Sequence, residues 1–437
     1  LKKVLIITYY WPPCGGIGVL RCLKFAKYLR AWGWEPVIFT ADGAHYPSID
    51  HSNDKDIPEG ITILRQPIWE PYHLYKFITG QKKDANVNNV FYASEKKRGL
   101  THNISVWLRS NFFIPDARAA WIDPSVKFLL KYLKAHPVDA LLSNGPPHSN
   151  TRIATLLKKA TGIPWLADFQ DPWSQVDYFG MLKLTRWGRH RHLRMEQEVF
   201  RHADAITIVS DRWKKDLEKI GAKNVTTVAW GYDPDDFRDL PEGESEHFSI
   251  THTGILGTDR HPALLLNAIQ DLKIEMPGIA DDLRIQLAGL VDTGIRSDIE
   301  NRGLQDNVVY LGSMERRKAL ELTVKSKVLL LILNRQENAA GRIPGKFFEY
   351  MAAGRPIFCI GPAESDVRTI MEAKALGYYC PFDDAPLAKS YMKELYEKFL
   401  KGSLGKYTPR GVEEYSNYNL TAKISGILNS ITERTVA

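Results

Sequence analysis

Twice along this chain, short apolar segments alternate with glycine-bearing turns and amphipathic stretches, and this rhythm constrains the fold more than any other feature of its 437 residues. The first series runs VLIITYY (4–10), EPVIFTA (35–41), ITILRQP (61–67), DALLSNG (139–145), PWLADFQD (164–171), AITIVS (205–210) and VTTVAWG (225–231). It stalls at PEGESEHF (241–248), where Pro, Gly and clustered acids read as a linker. It restarts as SITHTGIL (249–256), LRIQLAG (283–289), NVVYLG (307–312), KVLLLIL (327–333), PIFCIG (356–361) and GYYCPF (377–382). Strands joined through helices pair in parallel, and their near-continuous apolar character means that both sheet faces are covered. The expected class is therefore α/β, with two doubly wound, Rossmann-like domains and a ligand cleft beyond the strand ends. The expected boundaries are 1–240 and 248–412, followed by a last helix within 413–437 (NLTAKISGILNSI) that crosses back to the first domain.

One segment breaks the rhythm. Residues 68–125 are long, aromatic and basic (WEPYHLYKFITGQKK, SVWLRSNFFIPDARAAW) and read as an insert. Two uses stay open for it: packing on the first domain, or docking on an anionic membrane surface. A spanning helix is not expected, because the longest wholly aliphatic run, Val328 to Leu333, has six residues against the roughly 20 required. The opening LKKVLIITYY reads as a strand rather than a secretory signal, since its apolar run breaks at Thr8 and two tyrosines without a small-residue cleavage site. Cys14, Cys22, Cys359 and Cys380 form neither CxxC nor zinc spacing, so reduced thiols in a cytoplasmic protein and no metal site are expected. A net charge of +7 suits phosphorylated ligands or an anionic surface and falls short of a dedicated nucleic-acid binder.

Five loops carry residues fit for chemistry. In PPCGGIG, Gly15 and Gly16 allow close approach of a phosphate or sugar to a helix start; a tight strand–helix turn is the bland alternative. A dinucleotide fingerprint is disfavoured there, because Arg21 stands where its third glycine belongs, although Asp42 after the second strand keeps an NAD-linked oxidoreductase open. In RIPGKFFEYMAAGRP, Gly345 opens a helix whose first turn holds Lys346, a cation against the helix dipole that an anionic partner would explain. Glu349, three residues on, can accept hydrogen bonds from two adjacent hydroxyls, or can pair with Lys346 on the surface. In NGPPHSN, His148 lies at a strand end, while Ser149 or Asn150 can cap the following helix. In ADFQDPW, Asp168 and Asp171 can serve as base, metal ligand or hydroxyl-binding pair, and Asp171 before Pro172 can instead make a plain turn. In TGILGTDRHP, Arg260 suits a diphosphate, or is a solvated loop charge. The stretch RHRHLRMEQE (189–198) places His192 and Glu196 on one helix face, but its charge pattern reads first as a solvent-exposed basic helix.

GGIG, ADFQDPW and above all PGKFFEYMAAGRP, in this order over nearly the whole chain, resemble bacterial glycosyltransferases of family 4. The resemblance implies the GT-B fold and a retaining transfer of sugar from a nucleoside diphosphate donor, UDP or GDP type, to a glycan or lipid-linked glycan hydroxyl. It further implies an acceptor-binding first domain, a donor-binding second domain, no cofactor and no nucleic-acid partner. By that resemblance Glu349 holds the ribose, Lys346 and Arg260 neutralise the diphosphate, and Gly312 and Ser313 lie near the base. Gly15, Gly16, Arg342 and Gly345 complete the donor set, with His148, Asp171 and Lys346 as the catalytic candidates. Two positions depart from the pattern. The family's earlier glutamate, eight residues before Glu349, is Gly341 here, with Asn338 a candidate for its task. The early Gly-Arg pair is Gly254-Ile255, with Arg260 where a lysine is expected. The loss of that glutamate leaves a non-catalytic nucleotide-sugar binding module as the alternative from another class.

Overall fold

The computed structural model describes residues 1–70, 107–336, 338–405 and 410–434. Residues 71–106, the greater part of the expected insert, lie outside the described residues. The chain forms two units, one of Leu1–Ala229 with the C-terminal segment from Asn417, the other of Trp230–Ser416.

The first unit is built on a seven-stranded sheet, wholly parallel, in the order β3-β2-β1-β4-β5-β6-β7. Its strands are β1 Lys2–Ile7, β2 Trp34–Asp42, β3 Thr62–Pro67, β4 Ala140–Gly145, β5 Trp165–Phe169, β6 Ala205–Ile208 and β7 Val225–Thr227. The second unit has six parallel strands in the order β10-β9-β8-β11-β12-β13. They are β8 Phe248–Thr253, β9 Leu283–Ala288, β10 Val308–Tyr310, β11 Val328–Ile332, β12 Ile357–Gly361 and β13 Gly377–Pro381. All 13 expected segments form strands, with their ends shifted by a few residues. The central ones, such as β4 and β11, are buried at every position, which is why their sequences do not alternate.

Each sheet reverses its direction of growth once, between β1 and β4 in the first unit and between β8 and β11 in the second. In open parallel sheets the crevice at such a reversal, beyond the carboxyl ends of the strands, is where loops part to admit a ligand. The loop after β1 carries Gly15 and Gly16, and that after β4 leads directly into His148; those after β8 and β11 carry Arg260, Asn338 and Arg342.

The last helix, Asn417–Glu433, packs within the first unit against α1 (Ile17–Leu29). Leu420, Ile424, Leu428 and Ile431 recur at helical spacing and join Cys22, Leu23, Phe25, Ala26 and Leu29 in one core. Four buried aliphatic side chains contribute about 6–12 kcal/mol, an upper figure because the unfolded chain already shields part of them. Ser425 Oγ donates to the Trp32 carbonyl at 2.9 Å and sets the helix's register. No helix among the described residues is long and apolar enough to cross a membrane. All four cysteines are free and buried.

Candidate active site

In the first unit the glycine loop is held from outside. Gly15 N–H donates to the Ser48 carbonyl at 2.9 Å, and Asp50 N–H donates back to the Pro13 carbonyl at 2.9 Å. A Cβ on Gly15 would lie 2.6 Å from Ser48 Oγ, so any larger residue would have to displace the Ser48 side chain. Gly16 follows at φ +85° and precedes α1, whose N-terminus has no side-chain cap.

Arg21 explains the missing third glycine. Its buried guanidinium grips Asp168 with two bonds of 2.7 Å and donates to the Val228 and Ala229 carbonyls, each at 2.9 Å. Asp168 also accepts from Asn144 at 2.8 Å and Thr207 at 2.7 Å. With four donors on two oxygens, Asp168 is a structural anion that ties α1 to β4, β5 and β6 rather than a base. Asp171 lies two residues past β5, half-buried in a bend before Pro172.

His148 is the first residue of α3 (His148–Thr161, which follows α2, Ile122–Ala135). Its ring stacks on Trp173 at 4.2 Å, 4° from parallel, and its Nδ1 has no hydrogen-bond partner. Burial pushes its pKa down to about 3, so the imidazole is neutral at physiological pH. Neither Ser149 nor Asn150 caps α3. Asp116 performs that task from a distant loop, accepting from Ser149 N–H at 2.8 Å and Ser149 Oγ at 2.9 Å, while Asn150 donates to the Asn144 carbonyl at 2.7 Å.

The helix that read as wholly solvent-exposed is two-faced. On α4 (Arg186–His202), His192 and Glu196 are buried: His192 Nδ1 accepts from Trp173 Nε1 at 3.1 Å and Glu196 accepts from Ser174 N–H at 3.1 Å. Burial lowers the pKa of His192 to about 4. The far side exposes Trp187, which is 58% exposed, with Arg191 and Arg194, while Arg186 and Arg189 are exposed on the flank, Arg189 over the Phe179 ring that His192 also meets.

The second unit gathers the residues of the PGKFFEYMAAGRP motif at its own reversal point. Numbering helices onward as α5 (Asp211–Lys219), α6 (Ala263–Glu275), α7 (Thr293–Asn301) and α8 (Arg316–Lys325), the motif forms α9, Gly345–Ala353. Pro344 stands before α9 without capping it, and no acid occupies its first turn. Lys346, in that turn, reaches back to β8: Nζ donates to the Thr253 carbonyl and lies 3.3 Å from His252 Nε2. Burial lowers its pKa to about 7; Arg260 adds to that effect and Glu349 opposes it. Gly254 makes room for the ammonium, since a Cβ there would sit 2.8 Å from Nζ at a φ of +97°. Gly254 N–H is held by the Ala288 carbonyl at 2.7 Å. Arg260 pairs loosely with Asp259 at 3.4 Å, whose other oxygen accepts from Asn334 at 2.8 Å.

Glu349 does not pair with Lys346. Its Oε1 accepts from Arg316 Nε at 3.1 Å and Nη2 at 2.8 Å, while Arg316 Nη1 donates to Asp236 at 2.7 Å. Burial alone would lower the pKa of Arg316, but the two carboxylates outweigh it and raise it. Gly312, at φ +64°, and the exposed Ser313 form the turn after β10 that leads into Arg316. Tyr350 OH accepts from Thr253 N–H at 2.9 Å, so the Tyr of the motif anchors the end of β8. Arg342 is half-buried before Pro344, and both polar atoms of the Asn338 amide are buried without hydrogen-bond partners. Thus Lys346, Glu349, Arg260 and Gly345 share one region of the second unit, and Gly15, Gly16 and His148 border the reversal point of the first. His252, Arg316, Asp236, Tyr350 and Asp116 were not singled out from sequence; only the Tyr of the motif carried a signal.

Comparison with known proteins agrees with this architecture. Residues 15–231 match the family described as "Glycosyl transferase 4-like domain". No curated protein matches by sequence. A glycosyltransferase from Rickettsia africae ESF-5 superposes with a TM-score of 0.59 at 14% identity, covering 98% of each chain. WaaG, a glycosyltransferase involved in lipopolysaccharide biosynthesis, gives 0.57 at 14% identity over 98% of this chain and 99% of its own. S. aureus TarM, in a complex containing UDP, gives 0.57 at 11% identity over 98% and 100%. At such identities these likenesses bear on the fold. With the family match they lead to one conclusion: the chain is a glycosyltransferase of the GT-B fold, and its residues 15–231 belong to the glycosyl transferase 4-like family.

Proposed function

We propose that the chain transfers a sugar, with retention, from a nucleoside diphosphate donor of UDP or GDP type to a hydroxyl of a glycan or lipid-linked glycan in bacterial glycoconjugate synthesis. The observation that carries this reading is Lys346. A lysine in the first turn of an uncapped helix, pressed by burial toward neutrality and placed near Arg260, gains most from a dianionic ligand. In this scheme the two cations and the amides of the α9 N-terminus stabilise charge that develops on the leaving diphosphate. The acceptor attacks from the donor's own face, the leaving phosphate helps take its proton, and no protein nucleophile or divalent ion is required. Glu349 binds the ribose hydroxyls with Arg316 steadying one of its oxygens, Gly312 and Ser313 border the base, and Arg342 and Gly345 complete the donor site. Gly15 and Gly16 belong with the donor set, and His148 and Asp171 are the further catalytic candidates, with a neutral His148 as a hydrogen-bonding group for the transferred sugar. TarM's complex with UDP supports a nucleotide donor by analogy.

A thermal-shift panel with UDP, GDP, ADP and NAD tests the proposal. A ligand at about 100 times its Kd adds roughly 2.7 kcal/mol to the state it binds. Stabilisation by one nucleoside diphosphate, lost in Lys346→Ala, is expected; a shift with NAD alone would overturn the reading. A peripheral contact at the inner membrane face, delivering a lipid-linked acceptor, is part of the proposal. It is supported by the exposed Arg face of α4 with Trp187, a pattern suited to anionic headgroups.

A further inference from the structure

Lys346 is held by more than its own helix. Its ammonium has three N–H groups. One goes to the Thr253 carbonyl and one faces His252 Nε2 at 3.3 Å. His252 is fully buried in β8, and its other nitrogen, Nδ1, lies 3.0 Å from the Leu330 carbonyl on β11. A carbonyl oxygen only accepts, so Nδ1 carries the proton and Nε2 presents a lone pair toward Lys346. Burial, reinforced by the charge of Lys346, holds the ring's pKa well below the ordinary histidine range against the opposing pull of the Leu330 and Ile255 backbone groups, in keeping with a neutral ring. The charged groups that face the pair are Arg260, which disfavours a second cation, and Glu349, which favours the lysine's charge.

We propose that His252 is a positioning residue for Lys346: pinned to the Leu330 carbonyl through Nδ1, its Nε2 shares with the Thr253 carbonyl the task of holding two lysine N–H groups, so that the third is left for an anionic donor oxygen. The inference deepens the diphosphate reading of the second unit and rests on it for the identity of that oxygen. It also assigns a reason to the histidine in a strand that otherwise needs only an apolar side chain. An aliphatic residue would fill the space but leave Lys346 with one acceptor instead of two. The ammonium would then be harder to keep charged in a buried place.

Two variants separate holding from filling. His252→Leu keeps the bulk and removes the acceptor; His252→Gln returns an amide oxygen near the position of Nε2. Trace acylation of the full-length protein across pH 5.5–9, with mass spectrometry of the peptide containing Lys346, reads that lysine's titration without any ligand. The wild-type midpoint is expected near 7. It should fall by about one pH unit in His252→Leu, the effect of losing a hydrogen bond to the charged form, and return to within about 0.3 unit in His252→Gln. If His252→Leu fails to fold, His252→Asn, which keeps a donor for Leu330 and lacks the outer acceptor, carries the same expectation.

Calorimetry with inorganic pyrophosphate and with UDP and GDP supplies the second readout. Below both midpoints the lysine is charged in either protein; above them the variant must recover one more unit of protonation. Binding should therefore be about tenfold weaker in His252→Leu at pH 8 and nearly equal to wild type at pH 5.5. A purely structural defect would weaken binding equally at both pH values. An unchanged Lys346 midpoint in His252→Leu, or an affinity gap that does not vary with pH, would overturn the inference. If the wild-type protein binds neither pyrophosphate nor either nucleotide, the diphosphate reading falls, and the labelling midpoint still decides what His252 does to Lys346.

Discussion

Replacing Asp168 by alanine removes the anion on which the centre of the first unit converges. Arg21, 4% exposed, would lose both carboxylate bonds and be left without a counter-charge from Asp168, its bonds to the Val228 and Ala229 carbonyls remaining, while Asn144 and Thr207 would each lose an acceptor. Stranding one partner of a buried ion pair costs about 3–5 kcal/mol, and two orphaned buried donors add roughly 1 kcal/mol each. For a domain of this size each kcal/mol lowers the melting temperature by about 2–4 °C, so Asp168→Ala should melt roughly 10–25 °C below wild type. The double change Arg21→Met with Asp168→Leu should recover much of that loss, because no charge is left buried alone. Differential scanning calorimetry of the three proteins decides the matter. A melting point for Asp168→Ala within about 3 °C of wild type would refute the reasoning, since a loss under roughly 1 kcal/mol is that of a surface pair. A folded, fully stable Asp168→Ala protein without turnover would instead return Asp168 to the role of base.

Three further outcomes follow from the same geometry. Lys346→Ala should lower turnover by about 10²–10³, the scale of removing one donor to a developing oxyanion; an unchanged rate with any accepted donor sugar would dismiss its proposed role. His148 and His192 are held neutral by burial, to about 3 and about 4, so the unfolded chain binds their protons first as pH falls. Their contribution is complete above the ordinary histidine range and is lost as pH drops from about 6.5 toward those values, by roughly 2 kcal/mol each at pH 5. His148→Phe, which keeps the stack on Trp173, should flatten part of this acid sensitivity in urea titrations at pH 7 and pH 5; an unaltered difference would count against a buried neutral His148. Co-sedimentation with vesicles containing anionic lipid should fall markedly at low salt when Arg186, Arg189, Arg191 and Arg194 are changed to Gln, and equal binding by both proteins would remove α4 from the membrane proposal.

What could be read in the chain and what could not divides along the range of the interaction. Every strand was legible, because a buried parallel strand is written in a handful of adjacent residues, and VLLLI admits few other fates. The α9 motif was legible as a unit for the same reason: Pro344 and Gly345 start a helix, and Gly354, at φ +64°, ends it. The last helix showed its apolar stripe, but the sequence could not say that α1 would cover it.

Partnerships were the hidden part. Glu349 and Lys346 sit three residues apart, and local spacing pairs them; the fold instead offers Glu349 a guanidinium 33 positions away and Lys346 a carbonyl and an imidazole on β8. Arg21 read only as the wrong residue for a dinucleotide turn until Asp168, 147 positions on, was brought against it. Asp116 took the capping task from Ser149 in the same way, across 33 residues. The apolar pattern alone determined the strands of two doubly wound sheets, since burial acts on each residue type wherever it stands, while the strand order that sets their reversal points came from the fold. Which charges meet within the loops there was decided by the tertiary structure alone, because a buried ion must find its counter-charge in space, and distance along the chain carries no information about that.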